Sequence, residues 1–419
     1  MSKPNSGIKN NIGLHNSTGK ISGKALHVVY TSLASTTLSI SEFALFAVFW
    51  ATLRFFVYLG SNNYYISFFL DVREKLAEKK WHNPVFSTIL ITAVAYSSLS
   101  FVFFFGLFKS FYVSLFGALA VFSGVLLKCL AEFSKANHSV FIAVISEDLT
   151  LNTVLLGSFL FLPENSTILF ISQWALIAYA IAMIVSYVGI VRKFGLKRLP
   201  NINFPPTLFA FFKTGFNLTI YRGHEMTAFF LIRTVGKYFY GDYFVASTHI
   251  LLQFYNIVKL YVIATISGYQ SKITLDDVKK WTLTTVQKLY FSVLKKASLL
   301  FFIGITLGFA LKTHIINLFF PNYIAVASKV NVMLVIGIIM YVFEPLHYIL
   351  IYNKLIHNKK RINTLLALVL LALSCLSILS INPFFWFYLM ISYTLIIQFL
   401  FVLQKVKSLK AVSYTHLRA

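Results

Sequence analysis

Among the ionisable residues within long apolar segments, six have the most informative chemistry in the sequence. Two are arginines, Arg54 and Arg222, near the middle of their segments. A guanidinium stays charged and donates paired hydrogen bonds from a planar fork, so it suits phosphate oxygens. The other four are carboxylates, which suit a cation, a proton or an ion pair: Glu147, Asp148, Glu225 and Glu344. Charge at such depth is costly, so each should face protein or water.

These residues also have structural explanations. Glu225 follows Arg222 at the i,i+3 spacing, which lets the two pair on one helix face. Arg54 can pair with Glu147 or Asp148 from another helix. The two acids are then either members of an ion pair or a site for a coupling proton or sodium ion. Glu344 precedes a proline, which predicts a break in its segment.

Composition indicates the class of protein. Of 419 residues, 58% are hydrophobic and 12% charged, and the mean hydropathy is +0.75. Apolar runs of about twenty residues recur along the chain, as in a polytopic helical membrane protein. The net charge of +24 lies in short clusters between these runs, so it indicates topology rather than nucleic-acid binding. The two cysteines lack metal-ligand spacing, and we expect no metal or cofactor.

The apolar runs predict twelve membrane spans. The first is rich in Ser and Thr, so it either lines a hydrated cavity or bonds its hydroxyls back to its own carbonyls. The predicted spans are Ala25–Ile40, Glu42–Leu70, Val85–Leu107, Phe111–Leu130, Val140–Leu162, Thr167–Val191, Thr207–Ile232, Tyr243–Ile266, Ala297–Phe319, Ala325–Ile351, Ile362–Leu379 and Pro383–Leu403.

The connections between spans differ sharply in charge. One set, with both tails, carries 28 of the 37 Lys and Arg residues, whereas the opposite set carries five. The positive-inside rule then predicts that both termini and residues 267–296 are cytoplasmic. Residues 1–24 form a cytoplasmic tail without the pattern of a cleaved signal peptide. Residues 405–419 form the other tail, and Ser413–Ala419 resemble translated adapter sequence, so we exclude them from fold reasoning.

A weak repeat predicts two halves. Ser41–Ala47 and Gly241–Ser247 each place a small residue, an acid and an aromatic residue before an apolar run, 200 residues apart. Parallel repeats of six helices are a known transporter architecture. We therefore predict six-helix bundles at 25–191 and 207–404, joined by a cytoplasmic linker at 192–206 with four cations and three prolines.

The two repeated stretches, together with Ile315–Ala327 before the tenth span, indicate a family resemblance. The chain resembles the polysaccharide-transporter branch of the multidrug/oligosaccharidyl-lipid/polysaccharide (MOP) flippase superfamily, the O-antigen (Wzx-type) flippases. The resemblance implies a non-enzymatic transporter of the bacterial cytoplasmic (inner) membrane, with two bundles around a cavity that opens alternately to either face. It also implies an undecaprenyl-diphosphate-linked oligosaccharide as cargo for O-antigen or capsule assembly, with Arg54 and Arg222 on the diphosphate.

The resemblance further implies membrane lipids, a polysaccharide polymerase and a chain-length regulator as partners. Two alternatives stay open. A drug or cation antiporter of the same superfamily needs acidic cavity residues, for which the four carboxylates are candidates. A membrane glycan polymerase or ligase usually carries a large outer loop, and all predicted outer loops here are short.

Overall fold

A computed structural model of the chain describes residues 6–61, 83–137, 139–161, 168–195, 208–270, 283–351 and 382–416, with isolated residues between 368 and 375. The described residues are almost entirely helical. The main helices are α1 (Ser6–Thr37), α2 (Ile40–Ser61), α3 (Asn83–Phe108), α4 (Phe111–Ala136), α5 (Val140–Phe161), α6 (Ile168–Phe194), α7 (Leu208–Gln270), α8 (Leu283–Phe319), α9 (Ala327–Ile351) and α10 (Pro383–His416).

Seven described helical segments are long and apolar enough to cross a membrane. They coincide with predicted spans two to six, nine and ten, with ends that differ by up to eight residues. Residues 62–70 of the predicted second span lie outside the described residues. The eleventh predicted span lies mostly outside the described residues. The seventh and eighth spans are the two arms of α7, which meet at Gly241 with φ 81° and ψ −175°. Glycine adopts such a positive φ without the steric cost that a Cβ imposes.

Hydroxyls of α1 donate hydrogen bonds back to carbonyls of their own helix, which is the second of the two predicted arrangements. Thr31 donates to the carbonyl of His27 at 2.9 Å, and Thr37 donates to that of Leu33 at 2.7 Å. Such back-bonding satisfies a hydroxyl within its own helix. The polar composition of this helix is therefore compatible with burial, and the side chains of Thr31 and Ser35 are almost fully buried.

The acid at the start of α2 has a structural role. The Glu42 carboxylate accepts from the backbone N–H of Ser39 at 2.9 Å, while the Ser39 hydroxyl accepts from the backbone N–H of Glu42 at 3.3 Å. This reciprocal capping box satisfies two helix-end donors. In the corresponding position of the repeat, Asp242 instead pairs with Lys237 at 3.3 Å.

Contacts divide the chain into two compact units. The first unit comprises Thr18–Ala246, and the second comprises Met1–Ser17 with Ser247–Ala419. The first unit includes residues 208–246, which the sequence assigns to the second bundle, so the bundle boundaries stay a prediction. Most of the predicted linker lies outside the described residues.

Small residues let the helices of the first unit approach closely. A methyl group at Gly60 of α2 would lie 2.5 Å from the side chain of Val125 on α4. One at Gly124 of α4 would lie 2.5 Å from Val57 of α2 and 3.2 Å from the ring of Tyr179 on α6. Close backbone approach through small residues is a common basis of helix packing in membranes, where lipid is as apolar as the protein.

The second unit packs α8 against α9. The rings of Phe301 and Tyr341 stack with centroids 4.0 Å apart, and the Tyr341 hydroxyl donates to the carbonyl of Leu294 at 2.6 Å. Lys312 donates to the side-chain oxygen of Asn331 at 2.6 Å. α9 continues to Ile351 with Pro345 inside it, so the predicted break at that proline is not found.

Candidate functional site

Arg54 lies in α2 on the side that faces α1. Its Nη2 is 2.7 Å from Nε2 of His27, a side chain that is 3% exposed. Its guanidinium carbon lies 5.8 Å from the ring centroid of Trp50, within the range of a cation–π interaction. The partner of Arg54 is therefore a histidine from the first helix. Among the described residues no carboxylate forms an ion pair with it, in contrast to the predicted pairing with Glu147 or Asp148.

Aromatic side chains surround this arginine. Trp50 is 2% exposed and meets the ring of Tyr30 edge-on at 5.9 Å. The Tyr30 ring also meets Phe159 of α5 at 5.3 Å, and Tyr179 of α6 lies 6.5 Å from Trp50. Four helices thus contribute to one aromatic shell. Such faces suit sugar rings or apolar ligands, and they also stabilise helix packing.

Arg233 is a functional candidate that follows the predicted seventh span, Thr207–Ile232, and therefore falls in a predicted outer turn. The structure corrects this, because α7 stays helical up to Tyr240 and the Arg233 side chain is 4% exposed. Its Nε has no hydrogen-bond partner within the described part of the chain. The charges of Arg54 and Arg233 interact with each other inside the first unit. A buried cation without a neutralising carboxylate is an attractive site for an anion.

Stacked rings position this arm of α7 within the first unit. Phe230 lies one turn before Arg233, and its ring stacks on that of Phe55 with centroids 4.6 Å apart. The Phe103 ring from α3 meets Phe230 at 6.3 Å. Phe55 adjoins Arg54 in sequence, so these contacts hold α2, which carries Arg54, against the arm of α7 that carries Arg233.

A second group of charges joins α4 to α5. Glu147 accepts a hydrogen bond from Lys135 at 2.9 Å and another from Lys128. Lys135 also donates to Glu132 at 3.0 Å, and Lys128 lies 3.6 Å from the same carboxylate. The four side chains form a closed network of two lysines and two glutamates. Glu147 is therefore an ion-pair member, and its role in ion coupling stays a proposal.

The acids lie in an unusual part of α5. Residues Val144–Thr150 form a π-helix, and Asp148 is near its centre. Short π segments within α-helices occur frequently at functional sites. α1 crosses this segment through two glycines: a methyl group at Gly23 would lie 2.6 Å from the carbonyl oxygen of Asp148, and one at Gly19 would clash with Val144.

Two lysines of α1 interact electrostatically with Arg54 or with the charged residues of α4 and α5. Lys24 interacts with Arg54 on one side and with Asp148 on the other. Lys20, one turn earlier, interacts with Asp148 and with Lys135. Within the described first unit the interior therefore carries more cations than carboxylates. The six cations are Lys20, Lys24, Arg54, Lys128, Lys135 and Arg233, and the four carboxylates are Glu132, Glu147, Asp148 and Glu225. The excess of positive charge favours an anionic ligand.

The remaining predicted site residues are less informative. Glu225 is buried in the first arm of α7, at 8% exposure. The side chains of Arg222 and Glu344 lie outside the described residues, so the predicted roles of both stay predictions. Among the residues described, no group of three or more His, Cys, Asp or Glu is arranged to hold a metal ion.

Comparison with known proteins identifies the fold. No protein-family model and no curated protein sequence matches the chain. Solved structures do match over nearly its full length. One is an inward-facing multidrug resistance MATE family transporter of the MOP superfamily, with a TM-score of 0.61, 12% identity, and 93% of this chain and 96% of that chain covered. The chain has the fold of MATE transporters.

Two further structures agree. A eukaryotic MATE transporter, AtDTX14, has a TM-score of 0.62 at 12% identity, with 96% and 98% of the two chains covered. A MOP superfamily transporter from Pyrococcus furiosus has a TM-score of 0.58 at 12% identity, with 98% and 100% covered, and a binding pocket of reversed polarity is described for it. The predicted fold class, an all-α polytopic membrane protein of the MOP type, is confirmed.

Proposed function

We propose that this protein is a flippase that moves an undecaprenyl-diphosphate-linked oligosaccharide across the bacterial cytoplasmic membrane by alternating access. The observation that carries the proposal is the pair of arginines, Arg54 and Arg233, inside the first unit. No carboxylate in the described part of the chain neutralises either of them. A diphosphate supplies the missing negative charge, and guanidinium groups bind its oxygens with two parallel hydrogen bonds.

The surroundings of the arginines support the same cargo. The aromatic shell of Tyr30, Trp50 and Tyr179 offers flat faces to the sugar next to the diphosphate. The MATE fold supplies the machinery for transport, because the solved structures that share it are transporters. Arg222 stays a proposed third cation, and Glu225, three residues later, can pair with it.

Export of surface polysaccharide in cells that lack their own flippase tests the proposal. Arg54→Ala and Arg233→Ala should insert at normal levels and lose most export, whereas Arg54→Lys should keep part of it. Arg192→Ala is the matched control, since Arg192 is exposed near the end of α6 and should export normally. Full export by the Arg54→Ala variant at normal protein levels would exclude a role for this residue on the diphosphate.

A drug or cation antiporter is the second candidate function, because several of the matching solved structures are multidrug transporters. Such a protein needs a carboxylate for its cation. Glu132 and Glu147 are both paired with lysines, whereas their neighbour Asp148 forms no ion pair among the described residues and is the candidate carboxylate. Drug resistance that depends on Asp148 and not on Arg54 would favour the antiporter.

A further inference from the structure

The contact between Arg54 and His27 defines the protonation state of the histidine. A guanidinium carries only donors, so Nε2 of His27, 2.7 Å from Nη2, must accept. The imidazole is then neutral, since the nitrogen that accepts carries no proton, and Nδ1 lies 3.4 Å from the same Nη2. A second proton would occupy Nε2, remove the hydrogen bond and place an imidazolium against a guanidinium.

The groups around His27 make that second proton costly in the absence of a ligand. Arg54 faces it from α2, and Lys24 and Tyr30 lie one turn away on α1. Three groups from other helices interact electrostatically with Lys24 or Arg54: Lys128 of α4, Tyr179 of α6 and Arg233 of α7. The acids of α5, Glu147 and Asp148, act on Lys24, and within the described residues neither pairs with Arg54. Of these groups, the two that touch the His27 ring are the cationic Arg54 and the neutral Tyr30.

A bound anion makes the second proton on His27 favourable. A phosphate group on Arg54 takes over the Nη2 donor, which frees Nε2 of His27, and its negative charge favours an imidazolium beside it. Histidine is the side chain whose ordinary titration range lies nearest to neutral pH, so a change of this kind is accessible under physiological conditions.

We propose that His27 and Arg54 form a two-residue site for a diphosphate anion, in which His27 takes up one proton from water when the anion binds. The Nε2–H bond forms as the hydrogen bond from Arg54 breaks, and both side chains then donate to phosphate oxygens. When the anion leaves, His27 returns the proton to water and accepts from Arg54 again. This inference rests on the proposed function and adds to it that binding of the cargo is linked to one proton.

Calorimetry on the purified full-length chain in nanodiscs tests the linkage. The probe is undecaprenyl diphosphate that carries one N-acetylglucosamine. Each of its phosphates has one ester bond and one anhydride bond, so neither has a group that titrates between pH 6 and 8. Titrations in buffers of different ionisation enthalpy measure the protons taken up with each bound probe. The wild type should take up close to one proton, and its affinity should rise by up to about tenfold for each pH unit lowered.

His27→Gln is the critical variant, since glutamine keeps an acceptor for Arg54 but cannot take up a proton. Its binding should show no proton uptake and an affinity independent of pH, and His27→Asn provides a second neutral side chain if the first variant folds poorly. His314→Gln, at an exposed position of α8, should behave as the wild type.

The outcomes separate this inference from the proposed function. Binding of the probe by the wild type with equal affinity at pH 6 and pH 8 would overturn the proton linkage and leave the flippase proposal intact. A wild-type pH dependence that persists in His27→Gln would likewise overturn the role of His27. No binding by the wild type at either pH would overturn the proposed function, and the inference with it.

Discussion

The ion-pair network between α4 and α5 should stabilise the first unit, and Glu147→Gln is the perturbation that tests it. Glu147 accepts from both Lys128 and Lys135, and its side chain is 19% exposed. Charge-assisted hydrogen bonds contribute about 1.5–3 kcal/mol each, and removal of one partner of a buried pair costs about 3–5 kcal/mol. Glutamine keeps one acceptor, and Glu132 still compensates the lysines. We therefore expect a loss of about 2–3 kcal/mol in the free energy of unfolding.

Reversible unfolding of the purified protein in mixed micelles with increasing SDS measures this loss. Lys135→Met should cost less than Glu147→Gln, because Lys128 remains on both glutamates. The double variant should be less destabilised than the sum of the two single variants, with a coupling of about 1–2 kcal/mol.

A surface pair provides the matched control. Asp242 and Lys237 are 3.3 Å apart, with side chains 35% and 29% exposed, so Asp242→Asn should cost under about 1 kcal/mol. If Glu147→Gln costs no more than this control, or if the double variant is strictly additive, the network does not stabilise the unit and the reasoning fails.

Three further predictions concern backbone contacts and topology. Gly23→Ala should lower stability by about 1–2 kcal/mol, because its methyl group would meet the carbonyl of Asp148, whereas Gly106→Ala, with open space around it, should be neutral or stabilising in the same SDS unfolding assay. Gly241→Ala should cost about 1–2 kcal/mol at its positive φ, and Gly157→Ala should not; equal effects of the two would contradict strain at the turn. Position 164 lies in the connection between the fifth and sixth predicted spans, which the positive-inside rule places on the outer face. A cysteine there should react with an impermeant maleimide in intact cells, and reaction only after lysis would contradict the predicted orientation.

The sequence predicted the helices well because membrane spans depend on a local property. About twenty consecutive apolar residues suffice to cross the bilayer, and the limits of α3, α4 and α6 follow from hydropathy to within a few residues. The depth of Arg54 was predictable on the same basis, since its neighbours in sequence are apolar.

The partners of the charged residues were not predictable in this way. The contact of Arg54 with His27 depends on the rotation of α1 against α2, which hydropathy does not determine. Arg233 was misplaced because polar residues between two apolar runs resemble a turn, although only Gly241 leaves the helical conformation. The π-helix around Glu147 depends on a change of hydrogen-bond register, which no single residue type signals.

The division of α7 between the two units has a consequence for biosynthesis. The first unit extends to Ala246, and the stacking partner of Phe55 is Phe230, far along the chain. When the ribosome has delivered six helices to the membrane, this unit still lacks residues 208–246 and leaves Phe55 without that ring. Its packing is therefore completed only after the linker and the first arm of α7 have been synthesised, so a nascent chain arrested near residue 201 is expected to be an incomplete and protease-sensitive intermediate.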